Sequence, residues 1–119
     1  MEIQTIGVIG AGQMGNGIAH VCALAGYDVL LHDVKKEKVD AAFEIISGNL
    51  SRQVARGKIT DADKDRAMKR IQPAASLDDF SKVDFAIEAA TEDEKVKRQI
   101  FQSLCPKLSK NAMIASNTS

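Results

Sequence analysis

The chain has no excess of charge of either sign: 16 Lys and Arg stand against 16 Asp and Glu, a formal net charge of +0. Without a long-range positive field, nucleic-acid or membrane-surface binding driven by charge alone is not expected, and partners should be met through a defined site. Aromatic residues are scarce at 4%, whereas 45% of residues are hydrophobic, a composition that fits one soluble globular domain. A chain of 119 residues is short for two domains. A domain near this size buries roughly two-thirds of the surface its unfolded chain exposes, so neither disulfides nor a structural metal are required. Only Cys22 and Cys105 are present, far apart in sequence, which is the cysteine usage of a reducing compartment. No apolar run approaches the ~20 residues of a membrane span. The first dozen residues include Glu2 and a glycine-rich stretch, unlike the basic start, apolar run and small-residue cleavage site of a secretory leader. The expected location is the cytoplasm.

What is present is an alternation of strand and helix patterns. Thr5, Ile6, Gly7, Val8 and Ile9 form a short apolar run stopped by Gly10, read as a strand buried on both faces. Residues 12–25 are small or apolar, with Met14, Ile18, Ala19, Val21, Cys22 and Leu24 among them, and Gly26 ends the run; this is a buried helix. Residues 28–33 read as a second strand. Over residues 35–56, Val39, Ala42, Phe43, Ile46, Leu50 and Val54 recur at helical spacing behind a charged first turn, predicting an amphipathic helix that Gly57 ends. Thr60, three residues before Asp63, offers an N-cap for a charged helix running to about Ile71, which Pro73 closes. Residues 72–81 read as a short edge strand and a loop. Residues 83–90 read as a central strand, 92–108 as a helix with Val96, Ile100, Phe101 and Leu104 on its core face, and 112–115 as a last strand. Parallel strands need crossover connections, so this alternation specifies an α/β fold with a mainly parallel sheet covered by helices. There is no repeat, low-complexity run or internal linker, and residues 1–119 are taken as one domain.

Gly10-Ala11-Gly12-Gln13-Met14-Gly15 matches G-x-G-x-x-G between an expected strand and an expected helix, the context in which that pattern is informative. Gly10 permits the tight turn, Gly12 lets a pyrophosphate approach the backbone, and Gly15 lets helix and strand pack closely. The helix N-terminus adds free N–H groups and the positive end of the dipole. Asp33 closes the second strand twenty-three residues after Gly10, where a carboxylate accepts hydrogen bonds from the adenosine ribose and disfavours a 2′-phosphate. The expected fold is therefore a Rossmann-type, doubly wound α/β sheet with helices on both faces, and the expected cofactor is NAD(H) over NADP(H). Lys35 and Lys36 partly offset that discrimination. The plainer alternative is a glycine-rich turn without ligand and a surface aspartate.

In open α/β sheets ligands lie outside the carboxyl ends of the strands, so residues after Ala90 and after Ala115 should border the crevice of the glycine loop. Glu92, Lys97, Asn117 and Ser119 are candidate contacts there, Ser119 with a hydroxyl that both donates and accepts. Each has a bland reading as well: Glu92 as a helix N-terminal acid, Lys97 as a solvated helix residue, Asn117 and Ser119 as turn formers. His20 and Cys22, two apart on a helix, make a poor metal pair. His32 reads as structural or as a peripheral contact. Cys105, before Pro106 and with no basic neighbour closer than Lys107, is not expected to be a reactive thiolate.

Three stretches carry a family resemblance: residues 8–19, residues 87–92 with Lys95-Val96-Lys97, and the closing Ala115-Ser116-Asn117-Thr118-Ser119. Together and in this order they resemble the N-terminal domain of the L-3-hydroxyacyl-CoA dehydrogenases, especially the bacterial 3-hydroxybutyryl-CoA dehydrogenases. The resemblance implies that the glycine loop with Gln13 and Met14, and Asp33, hold the adenosine diphosphate half of NAD. It implies that Ala90, Thr91, Glu92 and Lys97 meet the cofactor further along, and that Ser119 faces the nicotinamide and the substrate's 3-hydroxyl. Asn49 and Arg56 become contacts for coenzyme A, or else remain a solvated helix face, and Asn117 joins the substrate-binding set. The family reaction passes a hydride between C3 of a 3-hydroxyacyl-CoA and the nicotinamide while a histidine paired with a glutamate removes the hydroxyl proton. Neither His20 nor His32 holds that place. The resemblance puts the pair beyond Ser119, partly in a helical C-terminal domain that also forms a homodimer. The chain alone is then expected to hold NAD but not to turn over an acetoacetyl-CoA type substrate. The alternatives are a stand-alone, non-catalytic dinucleotide module and a 3-hydroxy acid dehydrogenase whose substrate lacks coenzyme A.

Overall fold

The structure is a computed structural model and describes residues 4–89 and 113–116. Its elements are β1 (Thr5–Ile9), α1 (Gln13–Leu24), β2 (Asp28–His32), α2 (Lys36–Ala55), α3 (Asp61–Arg70), β3 (Ile71–Pro73), a 3₁₀ segment (Leu77–Lys82), β4 (Phe85–Glu88) and β5 (Met113–Ser116). The strands form one sheet of order β3-β2-β1-β4-β5. Every pair is parallel, with Thr5 opposite Asp28, Ile6 opposite Phe85, Val29 opposite Ile71 and Phe85 opposite Met113. The order turns outward in both directions from β1 and β4, the doubly wound arrangement expected of the sequence, with its switch point between those two strands.

The side-chain period of two divides β1 between two cores. Ile6 and Val8 join Ala19, Ala23, Val29, Leu31, Ala42, Ile46 and Leu50 under the helices, and Phe85 and Ile87 pack against the same cluster. Ile9 points the other way, into a second cluster with Ala74, Phe80, Val83 and Ala86. Both faces of the central strands are therefore buried, which is why β1 and β2 read as continuous apolar runs. Phe80 is the anchor of the second face. It is fully buried, and a Cβ added at Gly7 would stand 2.6 Å from its Cε2. The glycine in the middle of β1 thus makes room for a ring from the 3₁₀ segment. Burying a side chain of that size contributes on the order of 1.5–3 kcal/mol.

The helix ends follow local chemistry. Gly26 (φ 104) and Gly57 (φ 73) sit in the left-handed region beyond α1 and α2. Tyr27 N–H donates to Cys22 O and Lys58 N–H to Gln53 O, the long hydrogen bond of a Schellman motif in each case. At α3, Asp63 N–H donates to Thr60 Oγ1 (3.1 Å) and Thr60 N–H donates to Asp63 Oδ2 (2.9 Å), a complete capping box.

Some boundaries differ from expectation. Helix α3 stops at Arg70, because Ile71 is already extended (φ -92, ψ 121) and pairs with Val29. Pro73 lies inside β3 instead of ending the helix. An edge strand tolerates a residue without an N–H. Residues 77–82, read as loop, form the 3₁₀ segment, whose start is held by Asp78 N–H donating to Ser76 Oγ. Strand β4 is shorter than residues 83–90, since Val83 N–H closes the 3₁₀ segment on Phe80 O and Asp84 N–H turns to Thr5 O. The last strand is present as β5 over Met113–Ser116, and Ala112 lies outside the described residues. The helix expected over 92–108 lies outside the described residues.

Candidate dinucleotide site

Three glycines at the carboxyl end of β1 have three separate jobs. Gly10 has φ 106 and donates its N–H to His32 O at 2.7 Å, so the chain turns sharply while staying tied to β2. An L side chain is strained at that φ. Gly15 lies where α1 crosses the loop, and a Cβ there would fall 1.6 Å from Gly10 O. Only glycine fits. Gly12 is different: it is the N-cap of α1 at φ -72 and ψ -165, and a Cβ there would meet nothing within 4 Å. The protein itself does not demand glycine at 12, so the open space above its backbone is available to a ligand. No side chain caps α1 and its first turn has no acid. Its first N–H groups and the positive end of its dipole are thus left for an anion, which the pyrophosphate of a dinucleotide supplies.

Asp33 follows β2 directly. Its Oδ2 accepts the N–H of Ala11 and its Oδ1 accepts the N–H of Lys35, both at 2.9 Å. One carboxylate therefore ties the glycine loop to the turn that enters α2. Each of its oxygens has a second lone pair for a hydroxyl. Lys35 and Lys36 beside it are exposed.

Between the loop and α2 opens a cleft of about 510 Å³ bordered by Gly12, Gln13, Asn16, Lys38, Ile45 and Asn49 among others. A second, shallower hollow of about 680 Å³ runs along α1 past Gln13, Met14, Gly17, Ile18, Val21 and Cys22. The structure thus brings Gly10, Gly12, Gln13, Met14, Gly15 and Asp33 together and adds Asn49, whose Oδ1 accepts a hydrogen bond from Arg52 Nη2. Arg56 does not join them: it is exposed at the C-cap of α2 and borders neither hollow. Seven residues separate it from Asn49, roughly 10 Å along the helix axis. Ala90, Thr91, Glu92, Lys97, Asn117 and Ser119 lie outside the described residues, as does Cys105.

The remaining polar candidates have structural employment. His20 Nε2 pairs with Gln53 Oε1 at 3.0 Å and links α1 to α2. His32 donates from Nδ1 to Ala74 O at 2.8 Å, and its ring meets Phe80 edge to face at 6.4 Å. Burial pushes the Cys22 thiol up from its ordinary value, away from thiolate chemistry.

The model of the family "3-hydroxyacyl-CoA dehydrogenase, NAD binding domain" matches residues 5–119. The chain belongs to this family. As an NAD-binding domain it is 51% identical over 117 residues to the 3-hydroxybutyryl-CoA dehydrogenase of Bradyrhizobium diazoefficiens, covering 98% of this chain and 40% of that protein. It is 42% identical over 118 residues to a 3-hydroxybutyryl-CoA dehydrogenase of Mycobacterium tuberculosis, covering 98% of this chain and 41% of that one. The crystal structure of (S)-3-hydroxybutyryl-CoA dehydrogenase from Ralstonia eutropha superposes with a TM-score of 0.93 at 38% identity, over 97% of this chain and 41% of that chain. The chain thus spans about two-fifths of the length of these relatives.

Two residues of this NAD-binding domain escape a motif-based reading. Asn16 is buried on the α1 face that also buries Ala19, His20 and Ala23; the signal was its helical register with those residues. Glu88 is fully buried at the carboxyl end of β4, opposite Ile9 and Ser116. Its signal was the period of two from Ala86, which places it on the buried second face. Among the described residues no helix is long and apolar enough to cross a membrane.

Proposed function

We propose that this domain is the cofactor-holding part of a cytoplasmic NAD-dependent 3-hydroxybutyryl-CoA dehydrogenase, as the relatives from Bradyrhizobium and Mycobacterium are named. The observation that supports this most directly is the open space over Gly12 at an uncapped, acid-free helix N-terminus. In this reading Gly10 and Gly15 shape the loop and Gly12 lets the diphosphate reach the backbone. Gln13 and Met14 flank it, and Asp33 accepts the ribose hydroxyls while it steadies Ala11. Asp33 also sets the preference for NAD over NADP, with exposed Lys35 and Lys36 tempering it. Ala90, Thr91, Glu92 and Lys97 continue the cofactor site. Ser119 serves the nicotinamide and the substrate's 3-hydroxyl, and Asn49 and Asn117 serve the acyl-CoA.

When bound, the nicotinamide exchanges a hydride with C3 of the acyl group. What these residues do is bind and orient. His20 and His32 are committed to Gln53 and Ala74, and the family resemblance assigns the proton-accepting imidazole and its glutamate beyond Ser119, partly in a helical domain that also forms a homodimer. NADH titration tests the cofactor site. The chain should bind NADH, and Asp33→Ala should weaken it by roughly 10–100-fold, the loss of charge-assisted hydrogen bonds. Absence of NADH binding by the folded native chain overturns the assignment of these residues. Acetoacetyl-CoA reduction by the chain alone should be negligible, and brisk turnover would place the base within residues 1–119.

A further inference from the structure

Asn16 is 6% exposed on the second turn of α1, in line with the fully buried Ala19 and Ala23. Its backbone is satisfied, since its N–H donates to Gly12 O at 2.9 Å. Its carboxamide makes no hydrogen bond among the described residues. No fully occluded side-chain nitrogen or oxygen among those residues lacks a partner. The little surface this carboxamide retains therefore belongs to the 510 Å³ cleft that Asn16 borders. Burying an amide without a partner is unfavourable, and alanine would both continue the apolar stripe and favour the helix. Folding gives no reason for asparagine here.

We propose that Asn16 is a ligand-reading residue, and that with Asn49 across the cleft it selects the amide-bearing arm of a coenzyme A thioester; this rests on the acyl-CoA reading above. The lining supports that chemistry. Ala41, Ala42 and Ile45 supply an apolar wall on the α2 side of the cleft, with exposed Lys38 also bordering it. Asn49 has its Oδ1 engaged by Arg52, which leaves its NH₂ to donate to a ligand carbonyl. Asn16 has both functions free, one to accept from a ligand N–H and one to donate. Alternating apolar carbon and secondary amides match such a lining. A phosphate would instead be met by Lys38 or by the start of α1.

Titration of the native chain, Asn16→Ala and the identically branched, apolar Asn16→Leu with coenzyme A, adenosine 3′,5′-bisphosphate and NADH, each separately, tests this. Both variants should lose about tenfold in affinity for coenzyme A, the size of one or two neutral hydrogen bonds. Both should bind the bisphosphate and NADH to within about twofold of native, a difference too small to represent a lost hydrogen bond. Asn16→Ala should melt no lower than native, because an unpartnered polar group has been removed. Coenzyme A affinity unchanged in both variants overturns the proposal alone. So does a parallel fall in NADH affinity, which would assign the amide to the dinucleotide loop, and so does a lowered melting temperature in both variants, the mark of a structural role. A native chain that binds NADH but not coenzyme A overturns the acyl-CoA reading and this proposal with it.

Discussion

Alanine at Gly15 and alanine at Gly12 should fail in opposite ways. At Gly15 the new Cβ would stand 1.6 Å from Gly10 O and 2.8 Å from Gly10 C. A carbon needs about 3.3 Å from a carbonyl oxygen, so α1 and the loop must part by roughly 1.7 Å. The obstacle is backbone, and no rotamer change relieves it. Nor is Gly10 free to retreat, being held to His32 O at 2.7 Å. Overpacking of side chains typically costs ~1–3 kcal/mol, so a backbone clash of this depth should cost about 3 kcal/mol or more. At roughly 3–6 °C per kcal/mol for a domain of this size, the midpoint of thermal unfolding should fall by about 10–15 °C. Gly12→Ala meets nothing within 4 Å, and its φ of -72 suits alanine. Stability should then stay within about 1 kcal/mol, the small N-cap loss being offset by a less flexible unfolded chain. Its NADH affinity should nevertheless drop at least about tenfold, because the methyl occupies the space through which a diphosphate reaches the backbone. Circular-dichroism melts paired with NADH fluorescence titrations read both quantities. A native-like melting point for Gly15→Ala would refute the close crossing. Native-like NADH affinity for Gly12→Ala would refute the claim that its empty surroundings are ligand space.

Thr60→Ala removes the hydroxyl that accepts the Asp63 N–H, the side-chain half of the box that opens α3, and should cost about 1 kcal/mol in urea unfolding; a shift below ~0.3 kcal/mol would show that the cap is not limiting. Acid should destabilise the fold in a definite window. The N–H groups of Gln4 and Thr5 hold the Asp84 carboxyl below its ordinary value of 3.8, and the N–H of Thr60, then its hydroxyl-linked contact, do the same for Asp63. Both folded carboxyls are depressed, so their contribution is fully present above 3.8 and is lost as pH falls through the lowered folded values. Asp84→Asn should flatten that acid limb. An unchanged pH dependence of the urea midpoint would sink the assignment.

Most of the architecture was legible because it rests on local rules. Apolar runs bounded by glycine marked β1 and β2, and Gly26, Gly57 and the Thr60/Asp63 pair marked helix ends through hydrogen bonds that span five residues or fewer. The glycine loop and Asp33 were legible for the same reason: a strand, a turn and a helix N-terminus follow one another in the chain. Residues 71–83 hold the expected edge strand as β3, but the helix end before it and the 3₁₀ turn after it were misplaced, because distant partners decide there. Ile71 is drawn out of α3 by pairing with Val29, and Phe80 is drawn into a 3₁₀ turn by the space over Gly7.

The amino-acid sequence by itself determined a parallel α/β sheet and the place on it where a dinucleotide is held, since periodicity, capping and G-x-G-x-x-G all act within one or two turns of chain. Only the tertiary structure decided which polar residues face that place. It set Asn49 beside the loop and Arg56 away from it, closed His20 and His32 into the fold, and left the Asn16 carboxamide buried at the cleft without a partner among the described residues. The physical reason is that burial and hydrogen-bond satisfaction belong to surfaces, and those surfaces meet only after α1, α2 and the sheet have packed.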